Sequence, residues 1–221
     1  MQVFRIDVNQ RLLCIYELLD AYFGDLHWWP GDSPFEIIVG AILTQNTAWR
    51  NVEKAIGNLK LNGRLSPEGI LMTDDHILSD LIRSSGYHHV KARRLKSFAR
   101  YLYEKYDGSL DAMFSEDLET LRKNLLAVKG IGEETADSIL LYAGENPIFV
   151  VDTYTRRILE RHGIIPGGDT YADIQNLFMN HLPRSVPLYN QYHALLVNTG
   201  KYFCKRTPRC DGCPLKALMM V

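Results

Sequence analysis

The sequence lacks any apolar run approaching the roughly 18 residues that a membrane-spanning helix needs. Residues 1–7 also lack a basic region followed by an apolar stretch, so no secretory signal is visible. These two absences argue against a membrane protein and a secreted protein. We therefore expect a cytoplasmic protein.

An excess of positive charge is missing as well. The chain has 25 lysines and arginines against 26 aspartates and glutamates, a formal net charge of −1. This argues against a protein that coats nucleic acid through overall charge, although a DNA enzyme can concentrate basic residues on one face. Residues 88–96 and 201–216 are basic. Each stretch alone is explained by an exposed helix face, but together they could line a track for phosphates.

Cysteine is scarce, with four residues in the whole chain. Cys14 lies in an apolar run and is expected in the core. Cys204, Cys210 and Cys213 are clustered near the C-terminus. Because no secretion signal is visible, a disulfide framework is not expected, and the cluster suggests metal or iron–sulfur ligation.

Strand patterns are also lacking. Apolar residues recur at helical spacing in most segments, for example in residues 10–23, 91–106 and 171–181. Residues 35–43 are apolar nearly all round, which is typical of a buried helix. Residues 148–151 are apolar and partly β-branched but have no partner run with which to form a sheet. The sequence therefore predicts an all-α fold of one large or two small domains.

The most informative segment runs from residue 126 to residue 152. Its apolar spacing predicts a helix that stops at Gly130 and a second helix that begins near Thr135. Gly130 and Gly132 allow a tight turn whose backbone can approach another molecule closely. The N–H groups at the start of the second helix then point outward, where a phosphate could bind beside Lys129.

An apolar run follows this hairpin and ends at a single acid, Asp152. Asp152 could simply cap the helix that begins at Thr153. It could also be a catalytic carboxylate, and the two roles do not exclude each other. Glycine-turned helix pairs are common, so the hairpin alone indicates DNA binding only weakly. The ordered combination of hairpin, apolar run and acid is far more specific.

With these landmarks the chain resembles the helix-hairpin-helix superfamily of DNA glycosylases typified by endonuclease III, over nearly its whole length. Leu43-Thr-Gln-Asn-Thr47 and Gly86-Tyr-His-His-Val-Lys-Ala92 belong to the resemblance. His27-Trp-Trp-Pro30, followed by Phe35-Glu36, is most similar to the 3-methyladenine DNA glycosylase subfamily.

The resemblance implies a two-lobed fold with the active site in the cleft between the lobes. Residues 27–145 would form a central helical domain that contains the hairpin. Residues 1–26 and 146–221 would form a second helical domain that carries the C-terminal cysteines.

The resemblance also implies that Asp152 is the catalytic aspartate. Bifunctional relatives carry a lysine two residues after the second hairpin glycine, and its amine forms a Schiff base with the sugar. Here that position is Glu134, and a carboxylate cannot form an imine. We therefore expect a monofunctional DNA glycosylase of base excision repair that excises alkylated purines with water, without AP-lyase activity. His193 is interpreted as an ordinary helix histidine.

Two alternatives remain open. One is an endonuclease III-like glycosylase that acts on another damaged or mismatched base. The other is a catalytically silent hairpin protein that binds DNA, and Asp152 argues against it. In every case the expected partner is double-stranded DNA, bound by a monomeric protein that does not enter a membrane.

A damaged base must leave the helical stack before an enzyme can reach it. Trp28 and Trp49 are expected in the base pocket, because electron-rich rings hold a cationic purine well. Glu134 is a polar candidate for the same pocket, whereas Trp29 is expected in the core. The alternative is that all three tryptophans are structural.

The space left by the flipped nucleotide must be filled by a wedge. Gln45 and Asn46 occupy the turn where relatives insert polar residues, and Tyr87 or His88 could enter from the other strand. The expected DNA-binding residues are Gln45, Asn46, Tyr87, His88, Lys129, Gly130, Gly132 and Thr135.

Relatives that carry a [4Fe-4S] cluster bind it through four cysteines. Here there are three, the first gap is one residue short, and Met219 stands where the fourth cysteine would be. A thioether is a poor ligand for such a cluster. The choice lies between a labile cluster on Cys204, Cys210 and Cys213 and a metal-free loop.

Overall fold

The computed structural model describes residues 7–220, apart from the side chains of Met219 and Met220. Residues 1–6, which belong to the segment that lacks a secretory signal pattern, and the Met219 side chain therefore lie outside the described residues.

Over the described range the chain folds into twelve α-helices with no strand, which confirms the predicted all-α class. The helices are α1 (Val8–Phe23), α2 (Pro34–Leu43), α3 (Trp49–Leu61), α4 (Pro67–Met72), α5 (Asp75–Leu81), α6 (His88–Tyr106), α7 (Leu110–Phe114), α8 (Leu118–Ala127), α9 (Glu133–Ser138), α10 (Thr153–Arg161), α11 (Tyr171–His181) and α12 (Val186–Tyr202). No helix among residues 7–220 combines the length and apolar character required to cross a membrane.

The chain divides into two compact units. The first unit consists of Met1–Trp28 together with Pro147–Val221, and the second unit consists of Trp29–Asn146. The hairpin lies in the second unit, and Asp152 lies in the first.

In the second unit, α2 is buried on nearly all sides, as its apolar sequence predicts. The helix begins where the Ser33 hydroxyl accepts a hydrogen bond from the Glu36 N–H at 3.3 Å. Ile38 and Ile42 are 0% exposed. The helix packs on α3, on α6 and on a π-helical turn, Ile139–Ala143, that continues from α9.

In the first unit, α12 packs on α10 and on α1. The core is aromatic: the Phe149 ring stacks on Phe178 with centroids 3.8 Å apart, and the Tyr192 ring meets Phe149 edge-on at 5.9 Å. The Tyr192 hydroxyl donates a hydrogen bond to the Leu12 carbonyl at 2.7 Å. Residues 148–151 are buried and extended, and they lead from this core to Asp152.

Candidate active site and DNA-contact segments

The hairpin between α8 and α9 is held together by a buried ion pair. The Arg122 guanidinium donates two hydrogen bonds to the Asp137 carboxylate, at 2.7 and 3.0 Å. The Asp137 side chain is 0% exposed, and a bidentate pair of this kind fixes two helices strongly. Gly130 has a φ of +95°, and a Cβ there would clash with the Arg94 side chain. Both facts explain why this position of the turn requires glycine.

The predicted hairpin residues differ in accessibility. Lys129, Gly132 and Glu134 are exposed, and Gly130 is half-buried. Thr135 is only 6% exposed, and its side chain belongs to the interior of the unit.

In the turn between α2 and α3, Asn46 is exposed, whereas the Gln45 side chain is held by hydrogen bonds. The Gln45 amide donates hydrogen bonds to the Thr135 hydroxyl at 2.8 Å and to the Gly130 carbonyl at 3.3 Å. Its oxygen accepts a hydrogen bond from the Arg94 guanidinium. Asn46 is exposed with a φ of 55°, a left-handed conformation that is unusual for a residue other than glycine. Asn46 is therefore the more accessible of the two predicted wedge residues, while Gln45 ties this turn to the hairpin.

The turn before α6 presents Tyr87 in a similar way. Tyr87 has a φ of 47° and is 73% exposed. His88 is half-buried, and its Nδ1 atom lies 2.7 Å from the Ser79 hydroxyl oxygen. Tyr87 is thus the more accessible of the two predicted residues.

The predicted pocket tryptophans belong to different units. In the second unit, the Trp49 ring meets Trp29 edge-on at 5.0 Å, and Trp29 stacks on Tyr142 at 5.0 Å. The Trp49 indole N–H donates a hydrogen bond to the Glu53 carboxylate at 2.9 Å. Trp49 is half-buried, so part of its surface is open to a ligand.

Asp152 is the N-cap of α10, which is one of the two roles that the sequence suggested. Its Oδ1 atom accepts a hydrogen bond from the Thr155 N–H at 2.7 Å. Its Oδ2 atom lies 3.8 Å from Nε2 of His193, and its side chain is 9% exposed. The N-terminal end of α10 stabilises the negative charge. Asp152 is therefore an oriented and largely desolvated carboxylate, which is the kind of group that stabilises a nearby positive charge during a reaction.

Sequence reasoning missed two neighbours of Asp152 on α12. His193 is 5% exposed; burial lowers the pKa of its imidazole, the charge of Asp152 opposes that shift, and Lys201 adds to it. The imidazole is therefore neutral at neutral pH. Partial burial lowers the pKa of the Lys201 ammonium, and Asp152 again opposes the shift. The Lys201 Nζ atom lies 5.6 Å from the centroid of the Trp28 ring.

The sequence did contain one indication that His193 and Lys201 lie on the same side of a helix. His193 and Lys201 are eight residues apart on one helix, a separation that places both on one face. Without knowing that α12 packs on α10, the sequence could not indicate that this face lies near Asp152.

The C-terminal cysteines lie in a segment that we call the cysteine loop, residues 204–213. Helix α10 holds this loop through two arginines. Arg157 donates a hydrogen bond to the Cys204 carbonyl at 2.6 Å. Arg161 donates to the carbonyls of Lys205 and Arg206 at 2.6 and 3.0 Å, and its guanidinium lies 3.3 Å from the Cys204 sulfur.

The cysteine loop provides three thiols, those of Cys204, Cys210 and Cys213, where a [4Fe-4S] cluster takes four cysteine ligands. Burial raises the pKa of the Cys213 thiol, a hydrogen bond from the Leu215 backbone opposes the shift, and the nearby Cys204 and Cys210 add to it. Within the described part of the chain, no group of three or more histidine, cysteine, aspartate or glutamate residues is arranged to hold a metal ion. No chemical step below depends on a cluster.

Comparisons with known proteins agree with this geometry. Residues 39–184 match the HhH-GPD superfamily of base excision DNA repair proteins. The chain is 45% identical to a candidate DNA repair glycosylase of Methanocaldococcus jannaschii, over 91% of this chain and 92% of that protein. It is 33% identical to endonuclease III of Sulfolobus acidocaldarius, over 82% of this chain and 79% of that protein.

Among solved structures, the chain is similar to the 3-methyladenine DNA glycosylase of H. pylori bound to 1,N6-ethenoadenine. The TM-score is 0.77 at 28% identity, and the match covers 89% of this chain and 98% of the other.

Proposed function

Because the chain belongs to the HhH-GPD superfamily of base excision DNA repair proteins, we propose that it is a monofunctional DNA glycosylase that excises alkylated, 3-methyladenine-type purines. Family and similarity support a base excision repair DNA glycosylase. The proposal adds the lesion class and the absence of AP-lyase activity. The observation that carries it is an oriented, desolvated Asp152 in a chain whose hairpin has Glu134 instead of a nucleophilic lysine.

The proposed reaction is hydrolysis of the N-glycosidic bond. The damaged nucleotide is first flipped out of the duplex. As the C1′–N bond breaks, its electron pair leaves with the base, and positive charge develops on the deoxyribose. The Asp152 carboxylate stabilises that charge. A water oxygen then bonds to C1′, and its proton passes to the carboxylate, which leaves an abasic site.

Glu134 supports the absence of lyase activity. Strand cleavage by a bifunctional glycosylase requires an amine that attacks the sugar and forms an imine. Glu134 is exposed on α9 and carries no amine. The abasic strand should then remain intact until alkali cleaves it.

Alkylated purines suit this site for two reasons. They are cationic and leave readily, so one carboxylate is enough where glycoside hydrolases commonly use two. They also favour electron-rich rings, and Trp28 and Trp49 are the proposed rings of the base pocket. The similarity to the H. pylori 3-methyladenine DNA glycosylase supports the same lesion class.

The proposal includes double-stranded DNA as the partner of a monomeric, cytoplasmic enzyme. Its expected contacts are the exposed tips of the two turns, Asn46 and Tyr87, and the hairpin from Lys129 to Gly132. The two accessible tips provide the wedge, and the hairpin backbone holds phosphates.

A second candidate is an endonuclease III-like glycosylase for another base, which the similarity to the Sulfolobus acidocaldarius enzyme favours. One experiment separates the two. Base release is measured side by side from duplexes that contain one alkylated purine, one uracil or one oxidised pyrimidine, with and without alkali. We expect release from the alkylated duplex and strand breaks only after alkali. Preferred release of the oxidised pyrimidine with immediate strand breaks would establish the second candidate.

A further inference from the structure

Lys91 is a buried lysine with an unusual set of partners. The residue is 1% exposed, although it belongs to a basic stretch that reads in the sequence as an exposed helix face. Its ammonium donates hydrogen bonds to the Leu43 carbonyl at 2.8 Å and to the Ser85 carbonyl at 2.6 Å. Both of these partners are backbone carbonyls.

Burying this charge is unfavourable for the fold. Burial, together with the nearby Arg94 guanidinium, lowers the pKa of Lys91 to about 8. An apolar side chain of the same length would avoid that cost but would remove the donors from both carbonyls. The buried ammonium therefore ties together two backbone segments that are far apart in sequence.

The two carbonyls belong to residues that directly precede the two exposed turns. Leu43 is the last residue of α2 and directly precedes the turn that presents Asn46. Ser85 directly precedes the Gly86–Tyr87 turn. Asn46 and Tyr87 both have left-handed backbones, with φ of 55° and 47°. Such conformations persist only where the surrounding structure holds them, and they cluster at functional sites.

One turn further along α6, Arg94 extends the same arrangement. It donates a hydrogen bond to the Gln45 side chain and packs against Gly130 of the hairpin. Near the start of α6, Lys91 and Arg94 thus hold three segments of the second unit in place. These segments are the Asn46 turn, the Tyr87 turn and the hairpin.

We propose that Lys91 is a positioning residue that sets the Asn46 and Tyr87 turns at a fixed separation, so that together they occupy the gap in a duplex from which one nucleotide has been flipped. This inference rests on the proposed glycosylase function. It predicts that Lys91 acts on the opening of the duplex and not on cleavage of the glycosidic bond.

The main test replaces Lys91 with methionine, which keeps the chain length and removes the donors. Lys105→Met is the matched control, because Lys105 lies near the other end of the same helix, outside the basic stretch 88–96, and pairs with Glu116. Each protein is assayed by single-turnover excision on two duplexes. In one the lesion is paired normally, and in the other it faces an abasic site and has no partner base. Thermal unfolding confirms that each variant is folded at the assay temperature.

We expect Lys91→Met to lose at least tenfold in excision of the paired lesion and less than threefold on the unpaired lesion, because an unpaired base is easier to flip. Lys105→Met should match the wild type on both duplexes. A merely structural defect would lower both rates together, and that result would overturn the proposal. Equal activity of Lys91→Met and the wild type would overturn it as well.

A double-mutant cycle with Tyr87→Ala gives an independent readout. If Lys91 acts through the Tyr87 turn, the loss in the double variant should be smaller than the product of the two single losses. Independent effects that multiply would contradict the proposal. Should Lys91→Met not fold, Lys91→Gln, which retains one donating group, takes its place in both tests. Inactivity of the wild-type protein on every lesion would count against the proposed function itself.

Discussion

Replacing Asp152 with asparagine would separate two roles that this position combines. Aspartate and asparagine are both favoured N-cap residues, so asparagine can still accept the hydrogen bond from the Thr155 N–H. The start of α10 is then retained, while the negative charge is lost. Replacing Asp152 with alanine removes the cap and the charge together.

The magnitude of the effect follows from the surroundings of the carboxylate. The Asp152 side chain is 9% exposed, which places its charge in a largely desolvated setting. A unit charge about 4 Å from the developing positive charge contributes about 4 kcal/mol at an effective dielectric constant near 20. Since about 1.4 kcal/mol corresponds to a tenfold change in rate, we expect Asp152→Asn to slow excision by roughly a hundred- to a thousandfold.

The free energy of unfolding should respond to these two substitutions differently from the excision rate. We expect Asp152→Asn to change the free energy of unfolding by less than about 1 kcal/mol, whereas Asp152→Ala should lose about 1 kcal/mol or more. The assay is single-turnover base release from an alkylated duplex, with DNA affinity and thermal unfolding measured on the same proteins. DNA binding should survive in both variants. Near-normal excision by Asp152→Asn would remove the carboxylate from the mechanism and leave it only as a cap.

Four further predictions follow from the same structure. Borohydride should trap no covalent protein–DNA adduct, because Glu134 cannot form an imine; a trapped adduct would reveal another amine as the nucleophile. Trp28→Ala and Trp49→Ala should each weaken excision of cationic purines about ten- to hundredfold, since stacking on a base is worth about 1–3 kcal/mol; unchanged excision in both would make these rings structural. Anaerobically purified protein should be colourless and free of iron, because the cysteine loop has three cysteines where a [4Fe-4S] cluster takes four; brown protein with bound iron would contradict this. Because the pKa of Lys91 is lowered from 10.5 to about 8, the unfolded chain binds more protons between these pH values. The free energy of unfolding should therefore rise with pH across that window, by at most about 3 kcal/mol, and denaturant titrations of Lys91→Met should lack that share of the rise.

Much of the fold could be predicted from the sequence. The apolar spacing gave the bounds of α11, and the uniformly apolar α2 was expected to be buried. The start of α6 was predicted three residues too late, because the helix begins after Tyr87 in a left-handed conformation that a tyrosine does not signal. The π-helical turn after α9 was also missed, since its apolar residues look like a continuing α-helix.

The candidate site could be predicted only where its parts are close in sequence. The hairpin and Asp152 follow each other along the chain, so their order was visible. His193 and Lys201 lie near Asp152 only because α10 packs on α12, and that packing is a tertiary contact. Lys91 shows the opposite error: its neighbours are basic, but its own side chain is buried. Local composition does not reveal which member of a charged stretch turns inward.

The most direct test of the proposed function is to identify the bases that the protein releases from methylated duplex DNA. The wild-type protein and Asp152→Asn are incubated with such DNA, the small molecules are identified by mass spectrometry, and the strands are examined before and after alkali. We expect the wild-type protein alone to release methylated purines, chiefly 3-methyladenine, from strands that break only after alkali. Release of no methylated purine, or strands already cut before alkali, would contradict the proposed function.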